Sequence, residues 1–284
     1  MIILGASGQL GSSLSSYFHT TEDIVSVSRS SNVKADICNS KELERVFMTY
    51  DDNVVINCVA YHDVGLCEKS PLIAEQINAD ALITLSLLCE EYSRKLVHIS
   101  TDYVFDGDTT EPYKDTDGPN PINVYGKTKL EGEQNIQDLL NDYLIIRVSS
   151  LYSQYSSTEK GPNFVQKVIA NIDKKISMNM VSDVIMSPTY CYDVARAIHK
   201  LLSSNSSGIK HIVNSGYCSW YDFAIHINDY YNDITGQSID ITPVSQTSFA
   251  PPYKTPRFTA LQPSITVPRW DKSLKSFIYD RYKD

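Results

Sequence analysis

Short apolar runs alternate with amphipathic segments over the first 150 residues. The chain opens with an apolar run at its N-terminus, and four further runs of similar length follow: Ile24–Ser28, 53–61, Leu96–Ser100 and Leu144–Val148. The segments between them have apolar residues at helical spacing. Strands that alternate with helices in this way predict the α/β class, with a Rossmann-type, doubly wound parallel sheet.

The pattern loosens after residue 150. We expect helices near 163–172, 187–202 and 220–234, and few long periodic runs in the tail from 237 to 284. The predicted organisation is a dinucleotide-binding Rossmann domain over 1–150, to which parts of 187–214 return. A smaller substrate-binding domain comprises 151–186 and 215–284.

Three glycines follow the first apolar run directly. Gly5, Gly8 and Gly11 form a GxxGxxG pattern between a predicted strand and a predicted helix. Glycines let the backbone turn tightly and approach a pyrophosphate, which the free N–H groups of a helix N-terminus favour. This position in the first βα unit predicts dinucleotide binding, although a glycine-rich turn that binds nothing has the same pattern.

The residues after the second strand bear on the choice of cofactor. An acidic residue at this place selects NAD by bonding the ribose 2′-hydroxyl, whereas a basic residue pairs with the 2′-phosphate of NADP. Arg29 stands here and no acid does. We therefore predict NADPH, with NADH as the alternative, and we expect Asp36 to reach the adenine edge.

Charge and cysteine usage narrow the class of partner. The 284 residues carry a formal net charge of -9. This acidity argues against nucleic acid or an anionic membrane as the partner. Six cysteines lack metal-ligand spacing, so we expect a cytoplasmic protein with reduced thiols and no metal. No signal peptide or membrane span is expected.

The stretch from Ser100 to Lys129 carries the candidate chemistry. Thr101 follows a predicted buried strand, and Tyr125 and Lys129 are four residues apart, so on a helix they share one face. A nearby ammonium stabilises a phenolate, which lets a tyrosine act as a general acid near neutral pH. A hydroxyl opposite would polarise the same carbonyl oxygen.

These motifs together resemble the extended short-chain dehydrogenase/reductases, and within them the dTDP-4-dehydrorhamnose reductase family. The matching segments run nearly from end to end in the family's order: GASGQLG, KADICN, INCVAY, INADA, STDYVFDG, VYGKTKLEGE, RVSSLY, MSPTYCYDVA and HIVNSGYCSWYDFA. The resemblance implies NADPH-dependent reduction of the C4 ketone of a nucleotide-activated 6-deoxysugar, most directly dTDP-4-dehydro-L-rhamnose to dTDP-L-rhamnose.

The resemblance also implies roles for individual residues. Tyr125 would donate the proton, Lys129 would lower its pKa and hold the nicotinamide ribose, and Thr101 would bond the carbonyl oxygen. The implied cofactor residues are Gly5, Ser7, Gly8, Gln9, Leu10, Arg29, Asp36, Ile37, Ala60, Tyr61, Asn78, Ser100, Tyr125 and Lys129. The implied substrate residues are Thr101, Asp102, Tyr103, Val104 and Arg257.

Two alternative functions and the oligomeric state stay open at this point. A bifunctional epimerase/reductase such as GDP-fucose synthase needs a further acid/base pair, one member of which is a Cys after the fourth strand, and STDYVF offers none. A non-catalytic subunit like the β subunit of methionine adenosyltransferase shares the fold and much of the YGKTKLEGE region. A homodimer is the open alternative to a monomer.

Overall fold

A computed structural model describes residues 1–156, 161–249 and 252–283. Its strands, in chain order, are β1 (Ile2–Leu4), β2 (Val25–Val27), β3 (Val54–Asn57), β4 (Lys95–Thr101), β5 (Tyr143–Val148), β6 (Leu151–Tyr152), β7 (Met178–Val181), β8 (Ile185–Met186), β9 (Thr189–Tyr190), β10 (Gly208–His211), β11 (Cys218–Ser219) and β12 (Ile241–Val244). Its α-helices are α1 (Gln9–Phe18), α2 (Ser40–Thr49), α3 (Val64–Lys69), α4 (Pro71–Glu75), α5 (Ala81–Glu91), α6 (Val124–Leu139), α7 (Phe164–Asp173), α8 (Cys191–Ser203), α9 (Trp220–Thr235) and α10 (Trp270–Tyr282).

Six parallel strands form the central sheet, in the spatial order β10-β5-β4-β3-β1-β2. The chain reverses its direction of winding between β1 and β3. Ligands of open parallel sheets bind beyond the carboxyl ends of the strands at such a switch point. The predicted α/β class is confirmed, and the fold directs attention to the ends of β1, β3 and β4.

Alternate residues of the strands pack into two separate cores, one on each face of the sheet. Ile2 and Val55 contribute to the core that also contains residues of α2, α5 and α6. Their neighbours Ile3 and Ile56 contribute to the opposite core, with residues of α1 and α8. Both faces are buried, which is why the strands are nearly continuous apolar runs rather than alternating ones.

Two elements from the second half of the chain return to the sheet. The edge strand β10 pairs in parallel with β5, with Ile209 opposite Ile145. Helix α8 packs against α1, where the Tyr17 hydroxyl lies 3.0 Å from His199 Nδ1. These contacts join the two halves of the chain over a wide area.

A third core lies in the second half, between α7, α9 and α10. Val168, Ile227 and Leu274 are fully buried in it. Helix α10 belongs to the tail for which few periodic runs were expected. Its apolar residues at 270, 274, 277 and 278 follow helical spacing, so the signal was present over a single short segment.

The predicted long helix after Ser70 contains a π-helical turn. Its α-helical parts, α4 and α5, flank the turn Gln76–Asp80. By length and composition alone, the 21-residue stretch Pro71–Glu91 could cross a membrane, and half of its apolar 18-residue window is buried. The core helix of a soluble protein has the same properties, and Leu82 and Leu85 are indeed buried against the sheet.

Candidate active site

A cavity of about 1010 Å³ opens at the carboxyl ends of β1, β3 and β4 and extends to the second half of the chain. Most of the residues predicted to bind cofactor or substrate line this cavity. They are Gly5, Ser7, Gly8, Gln9, Leu10, Arg29, Asp36, Ile37, Ala60, Tyr61, Ser100, Thr101, Asp102, Tyr103 and Tyr125. The structure therefore brings together residues from six separate segments.

The glycine turn forms one end of the cavity. Gly5 has a φ of 76°, a conformation that favours glycine. A Cβ on Gly11 would lie 2.1 Å from the carbonyl oxygen of Gly5, so only glycine allows α1 to start so close to β1. The first N–H groups of α1 have no partner within the helix. The N-terminus of α1 therefore fits a pyrophosphate.

The residues after β2 flank this turn. Arg29 lines the cavity and its side chain is exposed. Asp36 accepts a hydrogen bond from the Cys38 N–H at 2.9 Å through one carboxylate oxygen. A cation at this place suits the 2′-phosphate of NADP.

The Tyr125 and Thr101 hydroxyls meet deep in the cavity. Thr101 ends β4, and Tyr125 lies in the first turn of α6, which Asn123 caps by accepting the Gly126 N–H at 2.8 Å. Thr101 interacts with the Tyr125 hydroxyl and lowers its pKa. Thr101 in turn donates to Asp102 Oδ1 at 3.1 Å. A connected series of hydroxyl, hydroxyl and carboxylate thus faces the ligand space.

Burial controls the protonation of both ends of this series. It raises the pKa of Tyr125, and the hydrogen bond with Thr101 opposes that rise. It also raises the pKa of Asp102 to about 6, against hydrogen bonds from Thr259, Ser149 and Thr101. The Ser149 bond measures 2.7 Å. Tyr125 is therefore a protonated phenol at neutral pH. Asp102 titrates just below neutral pH, with its pKa of about 6.

Lys129 lies behind the cavity wall, one helical turn after Tyr125. Its Nζ is 2.7 Å from the Ile99 carbonyl oxygen and 2.8 Å from His98 Nε2. Burial lowers the pKa of Lys129 to about 8, while Glu133 and Cys58 raise it. The predicted shared face with Tyr125 is present, but in this structure the Lys129 amino group is directed at β4. Its contact with the nicotinamide ribose stays a prediction.

Three further predicted residues lie in other surroundings. Asn78 is buried in the π turn, where it bonds the N–H and the carbonyl of Tyr61, so it fixes the cavity wall from behind. Val104 is fully buried in a small apolar core. Arg257 lines a separate, smaller depression beside Asp183.

The second half of the chain contributes cavity residues that the sequence did not identify. The N-termini of α7 and α9 both face the cavity, and both begin with a capping box. Phe164 and Trp220 form an aromatic pair with ring centroids 4.7 Å apart. The capping boxes were readable in the sequence, but which helix ends face a ligand depends on the packing of the third core.

The described residues include no cluster of side chains that could bind a metal ion. Across 1–156, 161–249 and 252–283, no three His, Cys, Asp or Glu side chains come together in a way that could hold a metal ion.

Known proteins share this arrangement over the whole chain. The family model described as RmlD substrate binding domain matches residues 1–281. The spore coat polysaccharide biosynthesis protein SpsK of Bacillus subtilis is 32% identical, over 99% of this chain and 97% of its own length. A dTDP-4-dehydrorhamnose reductase of Sinorhizobium fredii is 29% identical, over 98% of this chain and 96% of its own.

The solved structures agree with the sequence relatives. The crystal structure of a dTDP-4-dehydrorhamnose reductase from Bacillus anthracis in complex with NADP matches with a TM-score of 0.91 and 34% identity, over 98% of each chain. The resemblance found in the sequence is thus confirmed: the chain belongs to the family of the RmlD substrate binding domain, that of the dTDP-4-dehydrorhamnose reductases.

Proposed function

We propose that this protein reduces the C4 ketone of a nucleotide-activated 6-deoxysugar with NADPH, and that dTDP-4-dehydro-L-rhamnose is its substrate. The observation that carries the proposal is that Tyr125 and Thr101 line the same cavity as the glycine turn. A proton donor and a dinucleotide site that share one cavity are what a carbonyl reduction needs.

The protein is an oxidoreductase of its family, and the fit of the glycine turn supports the cofactor. The N-terminus of α1 would hold the pyrophosphate, and Arg29 would pair with the 2′-phosphate. When bound, NADPH supplies the hydride. The relative from Bacillus anthracis, solved in complex with NADP, supports the same cofactor.

Tyr125 would supply the proton. Its raised pKa keeps the phenol protonated until negative charge develops on the substrate oxygen. Thr101 holds the phenol in place and can reverse its hydroxyl to donate to the phenolate left behind. Asp102 accepts from Thr101 and Ser149, which orients the series towards the substrate.

The second half of the chain would bind the nucleotide of the substrate. Phe164 and Trp220 provide aromatic surface on which a base can stack. Lys167 lines the same end of the cavity, one turn into α7, and supplies positive charge for the diphosphate. A nucleotide sugar placed there would reach Tyr125 with its sugar end.

The test is to follow NADPH absorbance with two substrates, dTDP-4-keto-6-deoxyglucose before and after 3,5-epimerisation. We expect turnover of the epimerised sugar alone. Tyr125→Phe should lower kcat by about a hundredfold to ten-thousandfold, because general acid catalysis contributes on that order. This variant should retain NADPH affinity, which fluorescence titration measures.

Three results would redirect the assignment. Turnover of the unepimerised sugar would favour a bifunctional or a different deoxysugar enzyme. Full activity of Tyr125→Phe would remove Tyr125 from the chemistry. NADPH binding without consumption of either sugar would favour a different sugar or a binding subunit.

A further inference from the structure

A buried polar series connects β3, β4 and α6 behind the cavity. Asn57, His98 and Lys129 are each at most 1% exposed. Asn57 Nδ2 lies 3.1 Å from His98 Nδ1, and His98 Nε2 lies 2.8 Å from Lys129 Nζ. Buried polar groups must satisfy one another, so the direction of each hydrogen bond is constrained.

A backbone amide sets the direction of the whole series. The Val59 N–H donates to Asn57 Oδ1 at 3.0 Å. A backbone N–H is always a donor, so this contact fixes the amide and turns Nδ2 towards His98. Nδ2 is also a donor, and Nδ1 of His98 must therefore accept. The single proton of a neutral imidazole then resides on Nε2, where it faces Lys129.

Only one protonation state of Lys129 satisfies that contact. An ammonium offers three donors and no acceptor, so it would oppose the Nε2–H. A neutral amine accepts this hydrogen with its lone pair and still donates to the Ile99 carbonyl at 2.7 Å. With the amine neutral, every bond from Val59 to Ile99 pairs a donor with an acceptor.

We propose that His98 is a positioning residue that docks Lys129 as the neutral amine. Protonation of the amine breaks the bond with Nε2 and frees Nζ for the cavity side, where Tyr125 and the nicotinamide ribose require a cation. The part of this inference that concerns the reaction rests on the proposed function. The hydrogen-bond direction rests on Val59 and Asn57 alone.

The charges around Lys129 agree with a change of protonation near neutral pH. Burial lowers its pKa to about 8, and the two groups that raise it are Glu133 and Cys58. The negative charge of Glu133 is compensated by an ion pair with Arg147 at 2.6 Å. Burial raises the pKa of the Cys58 thiol, so this thiol carries no charge beside Lys129 at neutral pH. Burial and Lys129 lower the pKa of His98 well below its ordinary value, so His98 stays neutral while the lysine titrates.

The first experiment measures the tautomer of His98 in the cofactor-free wild-type protein. Nitrogen NMR on histidine-labelled protein distinguishes Nε2–H from Nδ1–H, and the signal that disappears in His98→Phe assigns the residue. We expect the Nε2–H form above the pKa of Lys129. An Nδ1–H form there would overturn the proposal, and this result needs no substrate.

The second experiment reverses the direction of the hydrogen bonds that join residue 57, His98 and Lys129. In Asn57→Asp a carboxylate accepts from both Val59 and His98, so the imidazole proton moves to Nδ1 and Nε2 becomes an acceptor for an ammonium. The alkaline limb of the pH profile of kcat/KM should then rise by roughly one pH unit or more. Asn179→Asp adds the same charge on the exposed face of β7 and should leave the profile unchanged.

The two experiments fail in distinguishable ways. A reversed tautomer without any shift of the alkaline limb would show that His98 does not control the charge of Lys129. An absence of turnover with every sugar tested would count against the proposed function, while the tautomer of the wild-type protein would still decide the docking of Lys129.

Discussion

Three consecutive polar residues at the end of β4 have three different partners. Ser100 donates to the buried Glu133, Thr101 bonds Tyr125, and Asp102 accepts from Ser149. All three residues line the cavity, but Ser100 is hydrogen-bonded to a buried carboxylate. The division between structural and chemical roles therefore follows from the partner of each side chain.

Asp102 should lower stability above pH 6. Its folded-state pKa of about 6 exceeds the ordinary 3.8, so the folded protein binds the proton more tightly than the unfolded chain. Stability is then lost as pH rises from about 4 through about 6. We expect Asp102→Asn to raise the free energy of unfolding by about 3 kcal/mol at pH 8, with the gain vanishing near pH 4.

Urea unfolding of both proteins at several pH values measures this gain. Asp108→Asn, which neutralises an exposed carboxylate in the next loop, is the matched control and should change stability little. A gain that does not depend on pH would show that packing, rather than the charge of Asp102, is responsible.

Arg29 should determine the preference for NADPH. Loss of a charge-assisted contact with the 2′-phosphate costs about 1.5–3 kcal/mol, so Arg29→Ala should raise KM for NADPH by about ten- to a hundredfold. KM for NADH should stay unchanged, because NADH has no phosphate there. Lys34→Ala removes an exposed cation nearby and serves as the control. Equal losses with both cofactors would contradict this role.

The sequence indicated which residues belong to the site, but it did not indicate which partners their side chains contact. The spacing of Tyr125 and Lys129 indicated a shared helix face, and Arg29 was placed by its distance from β2. The direction of the Lys129 side chain depends on His98, whose place beside α6 follows from the order of the strands. The resemblance implied that Asn78 lines the cofactor site, whereas its side chain bonds the backbone of Tyr61.

At the scale of elements, α6 approaches its neighbours closely through two glycines. A Cβ on Gly132 would lie 2.1 Å from the carbonyl oxygen of Asn78, in the π turn, and one on Gly126 would lie 2.1 Å from that of Tyr103. Contacts this short exclude any side chain. The position of Tyr125 therefore depends on Gly126, the next residue of α6, and on Gly132, about two turns further along the helix.

Gly132→Ala should destabilise the protein although alanine is the better helix former. The helical preference contributes about 1 kcal/mol in favour of alanine, whereas overpacking against backbone costs about 1–3 kcal/mol or more. We expect a net loss of up to about 2 kcal/mol in urea unfolding. Gly118→Ala, where a Cβ would have open space, should cost little. A stabilised Gly132→Ala would mean that the π turn yields to α6.

Periodicity predicted most elements, and packing decided the others. The five strands and the helices before residue 150 have strong local patterns. The π turn has none, because its extra residue becomes visible only where Asn78 reaches both backbone groups of Tyr61. Helix α10 was missed because its apolar spacing occupies one short segment after a proline-rich stretch.

In the whole molecule, the cavity lies between two parts of the chain. The sequence predicts the cavity residues of the first part but not those of the second. The first half of the cavity follows the rule that ligands collect at the carboxyl ends of parallel strands. Its second half is formed by the N-termini of α7 and α9, whose orientation is set by the third core. No local sequence pattern indicates the orientation of these two helices. A cytoplasmic location and a homodimer remain predictions of the sequence.

The two sides of the cavity should respond separately to two ligands. NADPH at about a hundred times its Kd should stabilise the protein by about 2.7 kcal/mol and slow amide hydrogen exchange in residues 5–10, since it occupies the glycine turn. The nucleotide dTDP, without a sugar, should instead slow exchange in 161–167 and Trp220–Phe223. The exposed strand β12 should show no change with either ligand. Hydrogen-exchange mass spectrometry of the wild-type protein allows both ligands to be tested together, because dTDP has no ketone to reduce. Protection of residues 5–10 by dTDP alone would contradict the division, because the nucleotide of the substrate would then compete for the cofactor's own site.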